Sequence, residues 1–190
     1  MIYLVRHGET ELNRQKVYQG QKDSNLTERG EAQALSMGER LRTILAGRPF
    51  QFHASPLGRT RQTAQIINQE IGCPEIVFDW RIAEIDIGDW SGLTADEITA
   101  ACPGAFDGPG QFDWGFRAPG GENRAAFLGR LQDWLSSVQE QGGIHVVVSH
   151  GWAGFGLRAL CTGVTMEAVG QVTPPQDAIF CLDRDQAWRM

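Results

Sequence analysis

The sequence predicts an α/β fold: a three-layer αβα sandwich on a mostly parallel sheet, in a single domain spanning residues 1–190. Three observations predict it. Short apolar runs recur along the chain, helical patterns fill the intervals, and the two signals alternate from beginning to end. At 190 residues the chain buries a substantial core without disulfide or metal staples.

The strand candidates are residues 2–5 (IYLV), 50–54 (FQFHA), 76–78 (IVF), 144–148 (IHVVV) and 178–182 (AIFCL). Short runs of this kind, bounded by turn signals, read as buried strands. The first helix follows Thr27 as N-cap, shows Leu35, Gly38, Leu41 and Leu45 on one face, and stops before Gly47 and Pro49. A second covers 60–71, with Ala64, Ile67 and Ile71 aligned and Gly72 and Pro74 as stop signals. A third aligns Phe127, Leu131, Leu135 and Val138, with Trp134 alongside, and ends at Gly142 and Gly143; a fourth covers 152–160. Residues 102–122 (CPGAFDGPGQFDWGFRAPGGE) follow neither period. A loop this long serves as a lid or specificity insert, or as a packed surface excursion, with Phe112, Trp114 and Phe116 lining a pocket or anchoring the loop.

A formal net charge of −6 argues against general affinity for nucleic acid or anionic membrane, so any anion site is local. Cys73, Cys102, Cys161 and Cys181 lie far apart, with no CxxC and no ligand-like clustering with the four histidines; reduced, mostly buried thiols and no metal site are expected. The N-terminus lacks a signal-peptide pattern and no stretch approaches about 18 apolar residues. The expectation is a cytoplasmic protein without a nucleic-acid or membrane partner, and a homodimer is compatible with it.

Charge is concentrated where strands end. Arg6-His7-Gly8 follows the first run, and Ser149-His150-Gly151 follows the fourth and leads into a helix. In open α/β sheets ligands collect outside the carboxyl ends of strands, where helix N-termini favour anions. The second run ends near Ser55 and puts Arg59 at a helix start, while Glu84 comes shortly after the third. Two arginines, two histidines and a carboxylate in one crevice suit a phosphate monoester: cations for the dianion, an imidazole nucleophile and a proton donor. His53 and His145 sit inside strand runs and read as structural. Asp79, Asp86 and Asp89 compete with Glu84, and chemistry alone does not rank them.

LVRHGETELN, SPLGRTRQTA, AEIDIGDWSG and VVVSHG, in this order, resemble the motifs of the histidine phosphatase superfamily, also called phosphoglycerate mutase-like, in its small phosphatase branch. A lone RHG is weak evidence; four ordered motifs spanning most of the chain are specific. The resemblance implies that His7 attacks phosphorus and becomes phosphohistidine, while Arg6, Arg59 and His150 neutralise the phosphoryl oxygens. It selects Glu84 as the acid that protonates the leaving alcohol oxygen and then deprotonates the hydrolytic water. It also implies that Asn13, Gln19 and the Gly20 backbone help hold phosphate, that Gly151 lets the backbone approach it closely, and that no metal or cofactor is needed. Arg61 and Arg81 lie off the matching positions and read as surface charges.

The implied activity is a metal-independent phosphatase acting on a small phosphorylated metabolite. α-Ribazole phosphate, sugar phosphates and phosphoglycerates all fit a cationic pocket with an aromatic wall. One alternative is a phosphoglycerate mutase; dedicated mutases of this family carry a longer, more basic segment between the acid and the second histidine. Here residues 86–149 contain no lysine, and only Arg117, Arg124 and Arg130 are basic. The other alternative, a non-catalytic phosphate-binding or interaction domain, would be marked by loss of His7 or Glu84, and both are present. One departure is Asn123 in APGGEN, where many relatives have serine.

Overall fold

The computed structural model describes residues 1–108, 110, 112–170 and 176–190, so positions 109 and 111 of the 102–122 segment lie outside the described residues. The strands are β1 (Ile2–Arg6), β2 (Val17–Tyr18), β3 (Gln51–Ala54), β4 (Ile76–Phe78), β5 (Leu93–Thr94), β6 (His145–Ser149), β7 (Ile179–Asp183) and β8 (Gln186–Arg189). The helices are α1 (Glu11–Arg14), α2 (Glu28–Leu45), α3 (Gly58–Ile71), α4 (Ala95–Ala101), α5 (Arg124–Gln141), α6 (Gly151–Thr162) and α7 (Met166–Val169). Six strands form one sheet in the order β4-β3-β6-β1-β7-β8; β2 and β5 pair separately.

The first four strands of that order run parallel, as expected. The last two pairings are antiparallel, β7 against β1 and β8 against β7, which the apolar pattern does not reveal. β8 also escapes sequence reading, because its hairpin turns through Arg184 at φ 52° rather than through the usual glycine or asparagine.

Because side chains alternate along a strand, Tyr3 and Val5 face one layer while Ile2 and Leu4 face the other. Tyr3, Val5, Phe52, Val146 and Val148 pack with Met37 and Leu41 of α2 and Ala64 and Ile67 of α3. Ile2, Leu4 and Val147 pack with Phe127, Leu131, Trp134 and Leu135 of α5 and Leu157 of α6. The sheet thus divides the interior into two cores, and burial on both faces accounts for the unbroken apolar runs.

Thr27 caps α2 by accepting the Gly30 N–H at 3.0 Å. The buried face of this helix is Ala34, Met37, Gly38, Leu41 and Leu45, whereas Leu35, expected inside, is 42% exposed. The reason is the close approach to α3: a Cβ on Gly38 would lie 3.0 Å from the Glu70 side chain, so the small residues turn inward and Leu35 turns out. Three of the four cysteines are buried and all four are free thiols; Cys102 is exposed. Among the described residues no helix is long and apolar enough to cross a membrane.

Candidate active site

β1 and β6 are neighbours with Arg6 level with Ser149, so His7 and His150 leave the sheet side by side. The His7 N–H donates to the Ser149 carbonyl at 3.0 Å, and the Ser55 N–H, past β3, donates to Val148 at 3.0 Å. Three carboxyl ends therefore meet at the mouth of a cavity of about 480 Å³, bordered by Arg6, His7, Arg59 and Glu84.

His7 is buried, and its Nδ1 lies 2.8 Å from the Gly8 carbonyl oxygen. A carbonyl only accepts, so Nδ1 carries the hydrogen and Nε2 keeps its lone pair. Arg59 Nε donates to that Nε2 at 3.3 Å. Burial first, then the Arg59 and Arg6 charges, holds the His7 pKa well below 6.5, so the ring is neutral. Gly8 follows His7 for a packing reason: a Cβ there would lie 2.2 Å from the Gly30 carbonyl oxygen at the start of α2.

Arg59 is 1% exposed, and each of its three guanidinium nitrogens donates at least one hydrogen bond. Nη1 donates to the Lys22 carbonyl at 2.9 Å and the Asp23 carboxylate at 3.0 Å, and Nη2 donates to the Gly20 carbonyl at 2.7 Å. Leu57, at the N-cap of α3, offers no side-chain acceptor. Asp23 supplies the cap from across the chain, accepting the N–H groups of Gly58 at 2.5 Å and Arg59 at 3.3 Å. Sequence reading missed Asp23, which sits in a loop with no motif of its own.

His150 stacks edgewise on His7 with ring centroids 5.3 Å apart. Its Nε2 lies 2.7 Å from Ser55 Oγ, while its Nδ1, like Arg6 Nε, is buried with no partner among the described residues. His150 lines a neighbouring cavity of about 20 Å³, with Arg6 and Gly151 bordering both this one and the larger. Burial, then Arg59, His7, Arg6 and Arg130, holds its pKa well below 6.5, which favours the uncharged imidazole. In that form it can donate one hydrogen bond.

Glu84 is fixed by backbone N–H donors. Its carboxylate accepts from Ile85 at 3.1 Å, Trp152 at 3.2 Å and Ala153 at 3.1 Å, which ties it to the first turn of α6. The three competing acids do not border the cavity. Asp79 pairs with Arg81 at 2.6 Å and caps residues 80–82, and Asp86 accepts the Gly88 N–H at 2.8 Å. Arg81 is engaged there, and Arg61 lies 3.9 Å over the Phe78 ring.

Asn13, Gln19, Gly20 and Gly151 all border the cavity. The two polar side chains among them also hold local structure together. Asn13 Oδ1 accepts the Thr10 N–H at 3.3 Å in a capping box, and Gln19 accepts from Ser24 at 3.3 Å. Gly20 sits at φ 52°, where a Cβ would meet Ile87 Cγ1 at 2.7 Å, and its carbonyl orients Arg59. A Cβ on Gly151 would only make ordinary contact with Arg6 at 3.6 Å. Asn123 is the N-cap of α5, accepting the Ala126 N–H at 2.9 Å; serine serves equally well there, so the departure has a structural meaning. From the 102–122 segment, Phe112 and Trp114 border the cavity, while Phe116 packs on Phe127 and Trp152.

A buried imidazole with a free ring nitrogen, a buried and a partly buried guanidinium group and a backbone-held carboxylate at parallel strand ends suit phosphoryl chemistry in an α/β enzyme. A family model, the histidine phosphatase superfamily (branch 1), matches residues 2–187. A curated relative, "Probable phosphoglycerate mutase GpmB" of Salmonella typhi, is 40% identical over 162 residues, covering 80% of this chain and 70% of its own. Among solved structures, a mycobacterial glucosyl-3-phosphoglycerate phosphatase in complex with VO3 aligns with a TM-score of 0.79 and 25% identity, over 94% of this chain and 90% of its own. YhfR of Bacillus stearothermophilus aligns with a TM-score of 0.77 and 29% identity, over 99% and 94%. The chain belongs to the histidine phosphatase superfamily. By class it is a phosphoric monoester hydrolase.

Proposed function

We propose that the protein is a cytoplasmic, metal-independent phosphatase that hydrolyses a small phosphomonoester through phosphohistidine on His7. The observation that carries this reading is the His7 ring. Its hydrogen is fixed on Nδ1 by the Gly8 carbonyl, and its Nε2 lone pair lies beside the buried cation Arg59. Two unpartnered buried nitrogens lie nearby: Arg6 Nε, and His150 Nδ1, which carries the ring hydrogen when Ser55 Oγ–H donates to Nε2; both then suit the acceptor oxygens of a phosphoryl group.

In the first step the His7 Nε2–P bond forms as the P–O ester bond breaks, and Glu84 gives its proton to the departing alcohol oxygen. Arg6 and Arg59 stabilise the charge on the equatorial oxygens, with a hydrogen bond from His150. In the second step a water oxygen bonds to phosphorus, the N–P bond breaks, and the water's proton passes to Glu84. His7 is again neutral, and one ester and one water have become one alcohol and one phosphate.

The test is turnover of p-nitrophenyl phosphate with a chelator present, together with trapping of acid-labile radiolabelled protein. His7→Ala is expected to abolish both signals. Turnover that survives the substitution removes His7 from its role; no turnover of any phosphoester favours a binding module. Transfer between phosphoglycerates that outpaces phosphate release would make the protein a mutase, as the name of its Salmonella relative suggests for that protein.

A further inference from the structure

We propose, resting on the phosphatase reading, that the preferred substrate carries its phosphate on a planar aromatic or heteroaromatic group rather than on a small anionic sugar acid. The cavity has two ends of different chemistry. At the inner end stand Arg6, His7, Arg59 and Glu84, and a phosphoryl group fills only that part of about 480 Å³. The remaining wall is contributed by Tyr18, Phe112, Trp114, Trp152 and Phe155, with Ile85 and Ile87 beside them.

These rings hold one another in place. Trp114 lies 4.6 Å from Tyr18 and 5.2 Å from Trp152, and Phe112 lies 5.1 Å from Trp152 and 4.9 Å from Phe155, centroid to centroid. Gly115 lets the 102–122 segment reach Trp152, since a Cβ there would fall 2.5 Å from the end of the indole. A wall locked in this way is preorganised: a flat ring gains stacking contacts without ordering new side chains.

The cations that would read a second anionic group are engaged elsewhere. Arg117 donates to the carbonyls of Ala105 and Asp107. Arg124 pairs with Asp113 at 2.8 Å and Glu167 at 3.0 Å. Arg130 pairs with Glu122 at 2.7 Å and donates to the carbonyls of Arg81, Ala83 and Glu84. Among the described residues, the only guanidinium or ammonium group bordering the cavity besides those of Arg6 and Arg59 is that of Lys16, which is solvent-exposed. A carboxylate on the alcohol portion would lose its hydration against aromatic faces with only that one exposed ammonium to meet it.

The test compares kcat/KM for 2-naphthylmethyl phosphate, glycerol 3-phosphate and 3-phosphoglycerate, all of which release an alkyl alcohol, so that leaving-group acidity does not decide the ranking. The native enzyme is expected to favour the naphthylmethyl ester at least tenfold over both others. Trp114→Leu and Gly115→Ala are each expected to cut that ratio at least fivefold, chiefly through KM for the naphthylmethyl ester. Equal or better turnover of 3-phosphoglycerate by the native enzyme overturns the inference and leaves the phosphatase reading standing. A variant that lowers all three substrates in parallel overturns it too, by making the wall merely structural. If none of the three esters is hydrolysed, the phosphatase reading falls and the inference with it.

Discussion

A histidine pair stands at each end of β6, alike in spacing and burial and different in surroundings. At its amino end His145 pairs with His53, and past its carboxyl end His150 pairs with His7; in both pairs the centroids are 5.3 Å apart. Burial is the first cause that lowers all four pKa values, and His53 is brought to about 4. Each pair also leaves a ring nitrogen buried without a partner among the described residues, at His53 Nδ1 and His150 Nδ1. A buried histidine pair is therefore not a catalytic signature by itself.

The surroundings make the difference. His145 Nε2 bonds the Gly142 carbonyl at 2.9 Å and must carry the hydrogen, so its Nδ1 accepts from His53 Nε2 at 3.2 Å. The unpartnered His53 Nδ1 is then only an acceptor, and its ring meets Trp134 in a T-shaped contact with centroids 5.7 Å apart. His145 borders a cavity of about 310 Å³, but among the described residues no guanidinium bonds either ring. At the other end Arg59 bonds His7 directly, Arg6 lies alongside, and the strand ends deliver all of these to one opening. The carboxyl ends of a parallel sheet gather loops and helix N-termini; the amino end of β6 does not.

The comparison breaks most clearly with alanine at His7, which is expected to lower kcat/KM by about 10⁴-fold. His145→Gln is expected to change it by less than about threefold, since that ring touches nothing bordering the catalytic cavity. Steady-state rates on p-nitrophenyl phosphate check both; similar losses would erase the distinction between the two pairs.

The guanidinium is the next point of contrast. Arg59→Met should cost about 10²- to 10³-fold in kcat/KM, whereas Arg81→Met, near the other pair, should cost under about twofold. A small loss at Arg59 would mean that charge at Arg6 alone suffices.

Stability against pH sharpens the comparison from the other side. His53 titrates near 6.5 unfolded and near 4 folded, so between these values the unfolded chain binds more protons. Its contribution is present in full above pH 6.5 and is lost as pH falls toward 4, up to about 3 kcal/mol. His7, His145 and His150 act with the same sign, so His53→Phe should make the decline shallower by about one proton without removing it. Urea unfolding at pH 7.5, 6, 5 and 4 measures the slope; an unchanged slope would mean that His53 is not held neutral.

Smallest of the expected losses among substitutions at the catalytic end is that of Ser55→Ala. Ser55 acts through His150, so the loss should be about tenfold, in kcat rather than KM. An effect on KM alone would point to a change in pocket shape instead.

How legible each part is in the sequence follows from its physics. The four long helices and five sheet strands can be read from periodicity because each buries a stripe or a face, and Ala64, Ile67, Phe127 and Leu131 lie inside as expected. The short elements β2, β5, α1 and α7 have too few residues to show a period. Periodicity misplaces Leu35 because hydrophobicity alone does not register that Gly38 brings two helices together. Asp23 and Ser55 are invisible as site residues: one is a loop carboxylate that serves a helix 35 positions on, the other a hydroxyl whose partner lies 95 positions away. The lowered pKa of His150 is likewise out of reach, since it depends on burial among charges from three separate segments.

By itself the sequence determined the layers, the order of the catalytic segments and the chemistry available to them, because burial patterns and side-chain types are local properties of the chain. The tertiary structure alone decided which carboxylate faces the cavity, which nitrogen of His7 is free, that His150 is buried beside His7 and Ser55, and that three arginines are tied up elsewhere. Each of those depends on distances between residues far apart in sequence, and pairing, desolvation and protonation follow those distances.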